Sequence, residues 1–202
     1  GERVASAEVP VSAEPALRAL LYGERIAAVV DVPEGHDPTG RYPVTFGVPF
    51  PAGALWDVTD LKLTDGEGRI LPAQSEVTGR WGPGGSVRWV RFDALVRPNA
   101  GLFVTVDQPS REEPGFQPLT VTEDDGQIVI DTGAAQYVLA KGPSPISRIL
   151  VNGQIVATAE GTRGLYVVDQ RDRLGISSAE GESIVVESRG PVAACVRFEG
   201  FY

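Results

Sequence analysis

Methionine is absent from these 202 residues, and cysteine and histidine occur once each, as Cys195 and His36. A single cysteine excludes an intrachain disulfide framework and any multi-cysteine zinc site. A single histidine makes a Ser-His-Asp triad, a Cys-His pair or a two-histidine metal site hinge on one residue. No run approaches the roughly 20 apolar residues that a bilayer span needs, and the N-terminus lacks the charged-then-apolar order of a secretory signal. Positive charge is scarce as well. Eighteen Lys+Arg against 27 Asp+Glu leave a net charge of -9, which repels phosphate backbones and anionic headgroups, so neither nucleic acid nor membrane is the expected partner. Without methionine, Gly1 is not a translational start, and a processed product or a piece of a longer chain is expected.

What is present is an ordinary globular composition, 42% hydrophobic and 22% charged, with 24 glycines and 16 prolines falling between short apolar runs. That spacing predicts an all-β fold with little helix. The best helix candidate is Ala13 to Tyr22, where Leu17, Leu20 and Leu21 lie at i, i+3, i+4. Strands are expected at Arg25 to Val32, Tyr42 to Val48, Leu61 to Leu63, Ile70 to Leu71, Glu76 to Trp81, Val87 to Leu95 and Leu102 to Asp107. Thr64 to Arg69 (TDGEGR) reads as a hairpin turn whose Asp-Gly and Gly residues supply positive φ. After the polar, proline-bearing Gln108 to Gln117 the pattern resumes at Ile128, Ala135, Ile146, Gln154, Gly164, Ser183 and Val192. Asn152-Gly153 is the strongest two-residue hairpin signal in the chain. The domain reading is an N-terminal arm over 1–24, a β unit over 25–107, a linker over 108–117 and a second β unit over 118–202. Because the last unit ends on strand-like residues, an incomplete sheet is expected, finished by further chain or by a second chain.

Candidate reactive groups are few. His36 sits in the turn Gly35-His36-Asp37-Pro38 and reads as a solvated loop residue, with a base or ligand as the alternative. Cys195, amid apolar neighbours, reads as a buried small hydrophobe. The clusters Asp65-Gly66-Glu67-Gly68 and Glu123-Asp124-Asp125-Gly126 read as turns, since neither reproduces a calcium loop. No metal and no cofactor is expected. The aromatic residues with polar edges are more suggestive, because sugar rings present apolar C–H faces to such surfaces. Trp89, alternating with Val87, and Trp56, after Leu55, are assigned to the core; Trp81, beside a glycine-rich turn, is the candidate for a binding face. With Tyr42 and Arg88 it makes the expected substrate-binding set. No catalytic residue is assigned.

Three segments carry a resemblance: Pro43 to Gly53 (PVTFGVPFPAG), Leu61 to Gln74 (LKLTDGEGRILPAQ) and Trp81 to Phe92 (WGPGGSVRWVRF). In order and spacing they resemble the N-terminal RIFT-barrel domain of the exo-rhamnogalacturonan lyase and YetA-like family. One departure is visible: the family's Asp-Gly-Ser turn is Gly84-Gly85-Ser86 here, with one extra residue after Trp81. The resemblance implies a small barrel over 25–107 followed by the opening strands of a β-sandwich over 118–202. Pro49, Pro51, Gly47 and Gly53 would then form a rigid crossing, Gln74 would satisfy groups at a strand end, and Arg88 would buttress closure of the barrel. It also implies an extracellular or periplasmic polysaccharide lyase acting by β-elimination at a uronic acid, with its reactive cleft in a C-terminal α/α-toroid outside these residues. The alternatives are a stand-alone module binding a polysaccharide or oligosaccharide through Trp81 and Tyr42, and a structural subunit of a surface layer or fibre completed by strand exchange.

Overall fold

A computed structural model of the chain describes residues 25–30, 37, 40–98, 101–106, 111–112, 115–124, 126–161, 164–176 and 183–200. The expected arm, the helix candidate Ala13 to Tyr22 and His36 lie outside them. The fold is all-β: the single helical turn among the described residues is the 3-10 turn Ala159–Gly161. The chain divides into two units, Gly1–Phe116 and Gln117–Tyr202.

The first unit contains β1 (Ile26–Ala28), β2 (Tyr42–Pro49), β3 (Leu61–Thr64), β4 (Arg69–Ile70), β5 (Ala73–Arg80), β6 (Val87–Val96), β7 (Leu102–Val106) and β8 (Arg111–Glu112). They form a five-stranded sheet, β1-β7-β3-β4-β8, and a three-stranded sheet, β2-β6-β5. Alternation along β6 turns Val90, Phe92, Ala94 and Val96 inward, all 1% exposed or less. Opposite them stand Leu63, Leu102 and Val104 from the first sheet, giving one core cluster shared by both sheets. Phe46 stacks on Phe92 with ring centroids 5.4 Å apart. Each such side chain contributes about 1.5–3 kcal/mol by leaving water. β8, paired parallel to β4, falls in the stretch expected to be a featureless linker; its backbone groups find partners at a sheet edge.

The TDGEGR turn forms as expected, with one difference. The positive φ falls on Gly68 (78°) and not on Gly66, because the loop is organised around Asp65. Its carboxylate accepts the backbone N–H groups of Glu67 and Arg69, both at 2.9 Å, and the Arg69 Nε–H at 2.6 Å. Burial pushes the Asp65 carboxyl up, but the Arg69 N–H, the Arg69 guanidinium and the Glu67 N–H together hold it below the ordinary carboxylate value.

The second unit begins with a meander in sequence order: β9 (Thr120–Asp124), β10 (Gln127–Asp131), β11 (Ala135–Ala140), β12 (Ile146–Val151) and β13 (Gln154–Thr158). Two hairpins follow, β14 (Tyr166–Val168) with β15 (Leu174–Ile176), and β16 (Ser183–Arg189) with β17 (Ala194–Glu199). Asn152 (φ 50°) and Gly153 (φ 77°) form the expected tight turn between Val151 and Gln154. The acidic cluster at 123 is less of a turn than its composition suggests: Glu123 and Asp124 belong to β9, and the reversal falls at Gly126, φ 80°. Cys195 is exposed, contrary to its assignment as a buried hydrophobe. The two-residue period of β17 places it on the face of Arg197, and both meet the Glu187 carboxylate, Cys195 Sγ at 3.5 Å and Arg197 Nε at 2.7 Å.

Candidate functional site

Two of the three segments singled out in the sequence, Pro43 to Gly53 and Trp81 to Phe92, meet at one end of the three-stranded sheet, while Leu61 to Gln74 supplies β3 and β4 of the other sheet and the start of β5. β2 ends at Pro49, and the chain crosses through Phe50 to Gly53 toward the turn that joins β5 to β6. Phe50 is buried, and its N–H donates to the Arg88 carbonyl at 2.9 Å. The Trp81 indole Nε1–H donates to the Phe50 carbonyl at 2.9 Å, and the Trp81 backbone N–H to the Ser86 carbonyl at 2.9 Å. Buried Ser86 is held again through its hydroxyl, which accepts the Gly53 N–H at 2.8 Å. Arg80 Nη1 donates to the carbonyls of Trp56 (3.3 Å) and Gly85 (3.1 Å). Crossing and turn thus brace each other through groups far apart in sequence. Gly85 is required here: a Cβ on it would lie 2.8 Å from the Trp81 carbonyl oxygen.

Trp81 is about half exposed, and the Arg88 guanidinium lies over its ring, 4.8 Å from the centroid. This cation–π contact, with the indole N–H anchored, fixes the direction of the Arg88 head group. No carboxylate among the described residues pairs with that guanidinium. Arg91, by contrast, is engaged by Glu76 at 2.8 Å and Asp93 at 3.4 Å. Trp81 and Arg88 are therefore brought together. Tyr42 is not with them. It pairs with Val96 at the far end of the same strands, about 20 Å away by strand rise, and its hydroxyl donates to the Asp37 carbonyl at 3.0 Å.

Two tryptophans assigned to the core are exposed, Trp56 at 62% and Trp89 at 42%. Trp56 lies in the loop after the crossing, beside Asp57, whose carboxyl the Thr59 hydroxyl and N–H hold below its ordinary value. Trp89 is exposed because alternation fails. The β5–β6 pairing skips Thr78 on one strand and Arg88 on the other, so Gly79 faces Trp89 while Arg80 faces Val87. Val87 is thereby turned inward while Arg88 and Trp89 are both exposed. The Trp89 indole spans the sheet, with Cδ1 3.6 Å from the Cβ position of Gly79 and Cε3 3.5 Å from that of Gly47. Gln74, expected at a strand end, donates through Nε2 to Asp93 Oδ2 at 3.3 Å.

Residues 30–101 match the family model of the PcRGLX-like N-terminal RIFT barrel domain. The first unit thus contains a RIFT barrel similar to that of rhamnogalacturonan lyase-like proteins. No curated protein matches the chain. Phe50, Gly53, Trp81 and Ser86, which brace the crossing against the turn, all lie within the matched residues. Among the described residues, no group of three or more His, Cys, Asp or Glu side chains converges.

Proposed function

We propose that this chain is the N-terminal, accessory β region of an extracellular or periplasmic carbohydrate-active enzyme of the exo-rhamnogalacturonan lyase and YetA-like kind. Its partner would be a catalytic α/α-toroid, which carries out β-elimination at a uronic acid. The observation that carries this reading is the match of residues 30–101 to the N-terminal barrel domain of such proteins. The architectural roles of Ser86, Gly53 and Trp81 support it, since residues spent on bracing a barrel are not free for proton transfer. Arg88, held on Trp81 with open guanidinium donors, is the group we assign to a uronate carboxylate. Tyr42 would meet the same glycan only several sugar rings further along β2.

The test has two arms. The 202-residue chain is incubated with rhamnogalacturonan while the ultraviolet absorbance of unsaturated uronate is followed; no turnover is expected, and turnover by this chain alone would sink the accessory reading. Acidic oligosaccharides are then titrated calorimetrically into the chain and its Arg88→Gln and Trp81→Ala variants. Binding weakened by Arg88→Gln supports the assignment, and no heat with any glycan removes the carbohydrate role.

A further inference from the structure

The outward face of the β2-β6-β5 sheet is a second feature, separate from the braced turn. Register places Thr45, Gly47 and Pro49 of β2, Trp89, Arg91 and Asp93 of β6, and Gln74, Glu76 and Gly79 of β5 in three facing rows. In the Trp89 row the neighbours are Gly79 on β5 and Pro49 on β2; the indole lies over Gly79 and the diagonal Gly47, 3.6 and 3.5 Å from their Cβ positions, and it remains 42% exposed. One two-residue step along β6, about 7 Å away, Arg91 Nη2 and Glu76 Oε2 are joined at 2.8 Å. One step further, Asp93 accepts the Thr45 hydroxyl at 2.7 Å and Gln74 Nε2 at 3.3 Å. The first of these polar rows is locked yet unsaturated. Only Nη2 of Arg91 and Oε2 of Glu76 are used in their pairing, and both side chains are well exposed, at 39% and 58%.

We infer that this face binds a neutral sugar ring, with the ring's C–H face on Trp89 and a vicinal pair of hydroxyls on Glu76 and Arg91. The chemistry points that way for three reasons. An exposed indole offers an apolar surface to axial C–H groups. A carboxylate and guanidinium side by side supply one acceptor and one donor, which matches a diol, whose hydroxyls each donate and accept. The charges select against a uronate, because Arg91 is already neutralised by Glu76, and Asp93 adds a negative charge to the strip. The inference rests on the carbohydrate reading above, but uses different residues and the opposite charge preference from Arg88.

The experiment is an NMR titration of the ¹⁵N-labelled chain, following the indole N–H resonances, with the Trp89 signal assigned by its loss in Trp89→Phe. The probes are a pectic oligosaccharide and its carboxyl-reduced, neutral counterpart. The neutral probe is expected to move the Trp89 resonance, and Glu76→Gln to weaken that response about tenfold, the loss of one charge-assisted hydrogen bond. Glu67→Gln, which alters an exposed acid in the β3–β4 turn, is expected to leave it unchanged. Because Glu76→Gln preserves size and shape, a folded variant is obtained even if changes at Trp89 disturb the sheet. If only the acidic probe acts, and through Trp81, the sugar reading stands and this face is wrongly assigned. If no indole responds to either probe, both fail. A Trp89 resonance that moves identically in wild type and Glu76→Gln also overturns the assignment.

Discussion

The two units use the same local devices and reach different degrees of burial. Fourteen buried apolar residues of the first unit form one cluster, whereas Ile128, Val138 and Leu139 are the only buried hydrophobics among the described residues of the second. Topology accounts for the contrast. In the first unit β1 pairs with β7, β2 with β6 and β3 with β7, so strands distant in sequence enclose a shared interior. In the second, every pairing among the described strands joins sequence neighbours, and Ile155, Val156 and Val167 stay exposed. Hairpins are made by turn residues; a core is made by long-range closure.

One turn occurs in both settings. Asp169 repeats the arrangement at Asp65: its carboxylate accepts the N–H groups of Arg171 (2.8 Å) and Arg173 (3.0 Å) and the Arg173 Nε–H at 2.7 Å. Positive φ again falls on the fourth residue, Asp172 at 57° in place of Gly68 at 78°. These bonds, led by the Arg173 and Arg171 N–H groups, hold the Asp169 carboxyl below its ordinary value. The two differ in burial, since Asp65 is buried and Asp169 is substantially exposed.

The largest expected effect is on the closed core. Phe92→Ala should cost about 3–5 kcal/mol in urea unfolding, while Ile155→Ala in the second unit should stay within about 0.5 kcal/mol; equal losses would break the contrast. Next comes Gly85→Ala, where a Cβ meets the Trp81 carbonyl oxygen and a loss of about 1–3 kcal/mol is expected, read as a lower thermal midpoint. Asp65→Asn should cost about 1–3 kcal/mol at neutral pH, and Asp169→Asn less.

The Asp65 effect has a pH signature. A carboxyl whose folded pKa is depressed stabilises fully above its unfolded value of about 4 and loses that contribution as pH falls through the lower folded value. Acid titration of stability should therefore be shallower in Asp65→Asn than in the parent chain; parallel curves would contradict the assignment. The smallest effect concerns Cys195. Native protein should react with a thiol reagent without unfolding, more slowly than the denatured chain because the Glu187 carboxylate accepts the thiol and disfavours the thiolate, and with no loss of secondary structure by circular dichroism.

Much of the strand pattern is legible because its signals are local: Asn152-Gly153 sets a turn, and short apolar runs between turn residues mark β11, β12 and β13. The misread residues show what local pattern omits. Trp89 was placed inside by counting in twos from Val87, and the count breaks at Arg88 for reasons found on the facing strand. Cys195 was assigned to the core from its neighbours, although the same count puts it beside charged Arg197. The Asp169 turn carries a local signal as well, since its acid-to-arginine spacing of four is that of Asp65 and Arg69. At the candidate site, Trp81 is legible from its place beside a glycine-rich turn and Arg88 from the family resemblance, but the hold of Ser86 on Gly53 spans 33 residues and no local pattern reports it.

Thr78 and Arg88 carry a further consequence for how this barrel can change length. On the β5 side, Ala73↔Ala94 through Val77↔Val90 and then Arg80↔Val87 lie on one common count, so the residue skipped on each strand cancels the other. Deleting either alone would shift the turn by one position against its neighbours and strand Ser86 away from Gly53. Deleting both would leave an uninterrupted ladder with Val87 still inside. Insertions and deletions within the two strands of this hairpin, as distinct from its turn, are therefore expected to be inherited in pairs.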